Sequence, residues 1–577
     1  MTARRPLLWA CIPIALWIAA SLQRGEPLTW DELEFFRATR WIAEGQIPYR
    51  DFWEHHTPLQ WVLFAPIAKL FGGGVGAQSV IAMRWAQVPL WIGAAALLLW
   101  IVRRANVARE PQLIALLLLF TSRQFVTSAL QYRLDTVGNV AFLAGLALAL
   151  ARRWIAFGAV MSLAVLANMR LAPLVIVAAL LTTVRRPFDA RVLRTLIGVA
   201  LVAGIFVLAL FASGAWPAFV DGVIDYNRVS NKLAAPVAGE TLMPIFLAPL
   251  RNGDVGGIAL ALFAIIGVAF AIRARGVSLI IAVLFALSII GVALTAVHYD
   301  YHLQTAWLLM MPLAAIGIEK LPPRVPLVAI GALVVAIVIN LATLITPSFG
   351  NALDYQNRVM TEAHARTRAS DVVWDGSGYA LQRKPAYRYW FLAAGVRLMA
   401  QQNLLPRYDI VRNPPAAIIF NYRIYNWLAA FPDVQQYALH HYVPLYRNLW
   451  LPGLSAPLAQ GTTRAQWSAA VDGRYEIWAS PLLAKHPWIA RPMEYGLIEG
   501  PDAAQMAIPL DRLPRVDADA LQWFVDGVAQ PRGTTTLTLR KGSRVELRAT
   551  MRESGGVIVA PQGIRTLCMA PEERFVF

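Results

Sequence analysis

The first 346 residues are a succession of apolar windows, near 7–22, 80–102, 111–130, 135–150, 154–169, 171–184, 194–213, 256–272, 277–297, 303–318 and 325–346. Each is close to the length needed to cross about 30 Å of hydrocarbon, allowing for tilt. In lipid every backbone N–H and C=O must be satisfied within its own segment, so such windows specify helices. About eleven spans are expected, in a polytopic α-helical membrane protein. Of 577 residues 57% are hydrophobic, and the mean hydropathy is +0.50. An ordinary soluble chain is far less apolar.

The formal net charge is +17, which raises the question of nucleic acid. The basic residues fall instead in short connections between apolar windows, with no DNA- or RNA-binding motif, so no nucleic-acid partner is expected. Alternate connections carry them: Arg4-Arg5, Arg103-Arg104-Arg109, Arg152-Arg153, Arg185-Arg186-Arg191-Arg194, Arg273-Arg275 and Lys320-Arg324. That side is cytoplasmic by the positive-inside rule. Segments 23–79, 131–134, 170, 214–255, 298–302 and everything after 347 then face outward. Met1 to Arg24 has the basic-then-apolar profile of a signal peptide, but Leu7–Leu22 runs into Gln23-Arg24-Gly25 without a small-x-small cleavage site. A retained anchor with a cytoplasmic N-terminus in a bacterial inner membrane is expected. Cys11 and Cys568 lie in different environments and imply no disulfide.

After residue 347 charges disperse, and the expectation is a soluble outer α/β domain with a β-rich end, over 347–577. Asp371-Val372-Val373-Trp374 and Ala416-Ala417-Ile418-Ile419-Phe420 read as buried strands. Thr534 to Arg540, then Lys541-Gly542, then Arg544 to Arg548 read as a β-hairpin.

The polar residues between the first and second windows are unusually dense. Thr29-Trp30-Asp31-Glu32 has capping-box spacing at the start of a helical pattern, which by itself explains the carboxylates as helix-start electrostatics. Asp51, Glu54, His55 and His56 then return within one loop, and Pro58 opens a second apolar helix, Leu59 to Phe71. The pair of short helices, about 31–71, is expected to lie along the membrane surface. Charge is costly beside a bilayer, so this density points to chemistry there.

The segment Trp30-Asp31-Glu32…Ala43-Glu44-Gly45-Gln46-Ile47-Pro48-Tyr49-Arg50-Asp51…His56-Thr57-Pro58-Leu59 resembles the first outer loop of GT-C membrane glycosyltransferases. The likeness is to the branch of the protein O-mannosyltransferases and lipid A aminoarabinose transferases. It covers residues 25–65, extends more loosely over the spans to about 346, and is only architectural beyond. The resemblance implies a GT-C-like fold over 1–346 and an enzyme that moves a sugar from a polyprenyl-phosphate-linked donor to an acceptor hydroxyl. The acceptor would be an envelope lipid, glycan or protein, and membrane lipids would surround the enzyme. By the same resemblance Asp31 is the catalytic base. A carboxylate that deprotonates the hydroxyl, with cations for the leaving phosphate, suffices for an inverting displacement.

Further candidates for substrate binding are Glu32, Asp51, Glu54, His55, His56, Arg133, Asp135, Arg170, His298 and Tyr299. Arg133 and Asp135 sit at an outward turn resembling the family's second acidic position, and His55-His56 stand where relatives carry a basic residue. Arg133 and Arg170 also fit snorkelling at helix ends. His298-Tyr299-Asp300-Tyr301-His302 fits an aromatic membrane interface, a phosphate or sugar contact, or a metal. No cofactor or metal is expected, since relatives using a monophosphate carrier often need none. Two rival readings stand beside the enzyme: a transporter or flippase of lipid-linked sugars, and a non-catalytic envelope scaffold.

Overall fold

The computed structural model describes residues 4–24, 26–183, 189–234, 242–295, 298–322, 324–345, 352–392, 396–446, 448–481, 483, 507–514 and 516–568. Part of the basic connection at Arg185-Arg186 lies outside these. The chain divides into two units, one of Met1–Gly74 with Gln78–Gly350, the other of Val75–Ala77 with Asn351–Phe577.

The first unit is helical. Among the described residues six helices are long and apolar enough to cross a membrane: Ala77–Arg104, Ala190–Ala212, Val255–Ala274, Gly276–Ala293, Asp300–Lys320 and Pro326–Thr343. The pair Arg109–Thr121 and Arg123–Leu130, bent by 67°, is either a seventh, broken span or a re-entrant loop. The other expected windows form shorter helices: Leu7–Gln23, Leu134–Leu150, Trp154–Ala167 and Met169–Thr183. The 14 residues of Trp154–Ala167 rise only about 21 Å at the α-helical pitch. Length alone therefore does not confirm about eleven full crossings.

Burial sorts these helices. In Asp300–Lys320 83% of the most apolar window is buried, against 17% in Ala190–Ala212, where Leu193, Leu201, Ile205 and Leu208 stay exposed. The first is the core of the bundle and the second a lipid-facing wall. Without water to drive apolar faces together, close packing needs small residues. A Cβ on Gly267 would lie 1.8 Å from the Leu313 carbonyl oxygen, and one on Gly317 2.1 Å from that of Phe263. Gly158 and Gly198 do the same for their helices, each with a backbone carbonyl 2.0 Å from the would-be Cβ.

The 67° bend frees backbone groups that lipid cannot satisfy. Asp254 answers for them: its Oδ2 accepts from Ser122 Oγ at 2.7 Å and from the Gln124 amide at 3.1 Å. Asn340 donates to the Thr121 carbonyl at 2.8 Å.

In the second unit the two expected buried strands form, Val372–Trp374 and Ala417–Ile419, paired in parallel. They belong to a five-stranded mixed sheet with Lys384–Pro385, Leu449–Pro452 and Tyr442–Pro444. The β-rich end holds a pair of four-stranded antiparallel sheets. The expected hairpin does not form: Thr536–Leu539 pairs with Gly473–Ser480, whereas Arg544–Met551 pairs with Leu521–Val525 and Gly461–Ser468. The Lys541-Gly542 turn is instead a crossing between sheets. The reason lies in the side chains, because Leu537 and Leu539 from one strand and Val545, Leu547 and Ala549 from the other share one buried cluster. Two strands of a flat hairpin would bury those residues on one face, whereas a sandwich packs them face to face.

Candidate active site

Helix Trp30–Ala43 positions the site. Thr29 caps it in a full capping box with Glu32, and the same glutamate then reaches beyond its own helix. Its Oε1 and Oε2 receive Arg84 Nε at 2.7 Å and Nη2 at 2.8 Å, and Oε1 also accepts the Tyr132 amide at 2.9 Å. Thr39, two turns along the same face, meets Tyr132 Oη at 2.8 Å. Tyr132, in the middle of the turn Gln131–Arg133, is thereby tied to the helix at two points, through its amide and its hydroxyl.

That tie delivers Arg133 to Asp31. The Arg133 Nη2 donates to Asp31 Oδ2 at 2.7 Å and its Nε to Asp135 Oδ2 at 3.3 Å. The guanidinium lies over the Tyr301 ring, 3.3 Å from its centroid. Burial would lower the basicity of Arg133, but Asp31, Tyr301 and Asp135 outweigh it and hold the group above its ordinary value. Asp31 keeps 23% of its side chain exposed, and Arg133 only 4%. Asn168 Nδ2 donates to Asp135 at 2.9 Å, and its Oδ1 accepts the Arg170 amide at 3.0 Å. Arg170 itself is exposed, in the Met169–Leu171 turn between two short helices.

The segment His298–Leu303 closes the other side. Tyr299 and Tyr301 stack at 5.2 Å, and His302 meets Tyr301 edge-on at 4.7 Å. His298 Nε2 and both ring nitrogens of His302 are buried without a hydrogen-bond partner. Asp31, Arg133, Arg170 and His298 all act electrostatically on His302. The arrangement thus gathers a reachable carboxylate, a pair of guanidiniums and unsatisfied imidazoles. It suits an anion next to a proton-accepting group.

A second cluster lies one helical turn on from Asp31. Glu34 and Glu54 are fully buried, and His55 and His56 face both of them. Burial and then the neighbouring Glu54 push the Glu34 carboxyl well above its usual range. Burial would also raise Glu54, but hydrogen bonds from His55 and His56 hold it at about 2. The loop is fixed from behind. Tyr49, at φ 68° in the left-handed region, donates its hydroxyl to the His56 carbonyl at 2.7 Å. Asn227 donates to the His55 carbonyl at 2.7 Å, Tyr226 packs on the His55 ring, and Gly222 leaves no room for a Cβ beside the Glu54 carbonyl.

No family model matches the chain, and no curated protein sequence does. Solved structures do match. The apo structure of ArnT from Cupriavidus metallidurans superposes with a TM-score of 0.55 at 14% identity, over 78% of this chain and 98% of that one. The fold is GT-C. The same ArnT bound to undecaprenyl phosphate gives a TM-score of 0.46 at 16% identity, over 63% and 72% of the respective chains. An oligosaccharyltransferase from Archaeoglobus fulgidus tethered to an acceptor peptide gives 0.42 at 12%, over 75% and 72%.

Within this GT-C fold the residues expected at the site separate into groups. Asp31, Arg133 and Asp135 come together in contact, with Arg170, His298 and Tyr299 around them. Glu54, His55 and His56 form the second cluster. Glu32 is 0% exposed with both oxygens bonded to protein, so it builds the site from behind. Asp51 lies outward, clamped by Arg50 and the Ile47 amide, where it closes the Gly45–Asp51 turn. Sequence reasoning did not single out Glu34 or Asn168, and it weighed Tyr301 and His302 only within the His298–His302 segment, from which it chose His298 and Tyr299. Glu34 had a signal, three positions after Asp31 on one helical face.

An apolar groove of about 510 Å³ runs between Trp154–Ala167, Ala172–Thr183 and Ala190–Ala212, lined among others by Val165, Leu166, Ala172, Ile176 and Phe206. Leu166 and Ala172 flank the turn that carries Arg170.

Proposed function

We propose that this chain is an inverting glycosyltransferase that moves a sugar from a polyprenyl-phosphate-linked donor to an acceptor hydroxyl. The observation that carries the reading is Asp31, partly exposed, held by Arg133 among Arg170, His298 and His302. Asp31 takes the proton of the acceptor hydroxyl as its oxygen bonds to the anomeric carbon. The bond from that carbon to the phosphate oxygen breaks on the opposite face, and the electron pair leaves with the carrier phosphate. Arg133 and Arg170 offset the charge that gathers on that phosphate, and a neutral imidazole can donate a hydrogen bond to it. The donor is a phosphodiester and its polyprenyl phosphate leaves as an anion without an enzymic acid, so one carboxylate is enough.

The GT-C fold supports the reading, since ArnT, which shares it, is a lipid A aminoarabinose transferase. The apolar groove beside Arg170 has the chemistry to take an isoprenoid chain while its headgroup meets the guanidiniums. The alternation of basic connections supports a site on the periplasmic face of a bacterial inner membrane. The acceptor belongs to the envelope.

The test is transfer of labelled sugar from a polyprenyl-phosphate donor by detergent-purified wild type and by Asp31→Asn. The variant should lose about 10²- to 10⁴-fold in rate while eluting as folded protein. Transfer at the wild-type rate would remove Asp31 as the base.

A further inference from the structure

We propose that Glu34, Glu54, His55 and His56 form a binding site for one divalent transition-metal ion of the zinc class. Each offers one ligand atom, and the four atoms lie within 4.8 Å of one another. The finer distances carry the argument. His55 Nδ1 lies 3.3 Å from Glu34 Oε1 and 3.3 Å from Glu54 Oε1. His56 Nδ1 lies 3.4 Å from the first oxygen and 3.2 Å from the second. A tetrahedron with metal–ligand bonds of about 2.0–2.1 Å has edges about 1.63 times longer, near 3.3–3.4 Å. The four nitrogen–oxygen distances match four of the six edges of such a tetrahedron, and the remaining two separations are within 4.8 Å.

Hydrogen bonding alone accounts for the cluster less well. A ring nitrogen carries at most one proton, which can point at only one oxygen. Here each Nδ1 is almost equidistant from two carboxylate oxygens, at 3.3 and 3.3 Å for His55 and 3.4 and 3.2 Å for His56. Both Glu34 oxygens are buried without a hydrogen-bond donor, on a side chain that is 0% exposed. Two carboxylates placed together away from water need a shared cation or a captured proton. Two imidazoles and two carboxylates with no thiolate suit Zn²⁺, with Mn²⁺, Fe²⁺ or Co²⁺ as poorer fits. Four protein donors leave no open position, so the ion would be structural, pinning the Glu54–His56 loop to helix Trp30–Ala43.

The proposal does not depend on the transferase reading, because its readout is metal and not sugar transfer. Full-length protein is purified in detergent through a tag without histidine, incubated with Zn²⁺, desalted, and its metal measured by mass spectrometry. About one equivalent should remain on wild type and well under half an equivalent on either Glu34→Gln or His56→Ala. Co²⁺ in place of Zn²⁺ should give wild type the intense visible absorption of a tetrahedral site. Glu34→Gln keeps the shape of the side chain, and gel filtration checks that it folds. Stripping with a chelator should lower the unfolding temperature of wild type and leave that of Glu34→Gln unchanged. A wild type that retains no Zn²⁺ and shows no tetrahedral Co²⁺ absorption overturns the site. So does full metal retention by both variants, which would put the ion elsewhere.

Discussion

The Arg133 guanidinium donates to the Asp31 carboxylate across 2.7 Å, joining residues 102 positions apart in the chain. Its Nε reaches Asp135 at the same time. A lysine places its donors on one nitrogen and cannot reproduce the planar spread of Nε and Nη2 that reaches the two carboxylates. Arg133→Lys should lower kcat/KM for a polyprenyl-phosphate sugar by about 10- to 100-fold, the worth of a charged hydrogen bond. Steady-state kinetics on detergent-solubilised enzyme give the number, and a rate within twofold of wild type would contradict the role.

Glu32 and Arg84 form a buried ion pair, 0% and 3% exposed at the side chain. Glu32→Gln removes the carboxylate that is hydrogen-bonded to the buried arginine, leaving only Glu26 near it, and should cost about 3–5 kcal/mol of stability, read as a lower unfolding temperature. The effect depends on pH. Burial alone would raise the Glu32 carboxyl, but Arg84 and the amides of Thr29 and Tyr132 hold it below its ordinary 4.5. A carboxyl depressed in the fold contributes stability above its unfolded value and loses it as pH falls through the folded one. The gap between wild type and Glu32→Gln should therefore be widest at neutral pH and shrink as the pH falls below 4.5.

The bend at Ser122 rests on Asp254, which also caps helix Val255–Ala274 by accepting the Gly257 amide at 3.0 Å. Asp254→Ala strips an acceptor from a hydroxyl and a pair of backbone amides at once. A loss of about 2–4 kcal/mol is expected from the cap and the orphaned donors together. Asp254→Asn, which keeps one acceptor oxygen, should recover part of it in a thermal unfolding series.

His441 in the second unit sits against Tyr437, rings 3.9 Å apart, with Nδ1 3.0 Å from the Tyr437 carbonyl oxygen. Burial pulls its pKa down from 6.5 to about 4. Between those values the unfolded chain binds a proton that the folded chain refuses, so stability falls as pH is lowered from about 6.5 toward 4. His441→Phe should flatten that part of the profile. An unchanged acid dependence in the variant would show that another group governs it.

Hydropathy found the helices because an apolar window needs no partner to be recognised, and each window from 7–22 to 325–346 became helix in its described part. It could not see the break inside 111–130, since Ser122 and Thr121 interrupt the ladder without interrupting the hydrophobicity. Partnership was the larger blind spot. Glu32 and Asp31 are neighbours with the same chemistry, yet one turns to Arg84, 52 residues away, and the other to Arg133. Nothing local distinguishes them. The hairpin misreading has the same origin, because the alternation of Leu537, Leu539, Val545 and Leu547 says which side chains are buried and not which sheet receives them.

Trp154–Ala167 and Met169–Thr183 are both too short for an unperturbed bilayer. Wherever they cross, the lipid around them has to thin or let its headgroups sink, at a fraction of a kcal/mol per ångström. The leaflet would then be shallowest beside Arg170, so a lipid-borne phosphate could settle at the depth of that guanidinium without first being lifted from the membrane. Thickness itself, set by the acyl chains of the surrounding lipid, becomes a variable that tunes how readily such a molecule arrives.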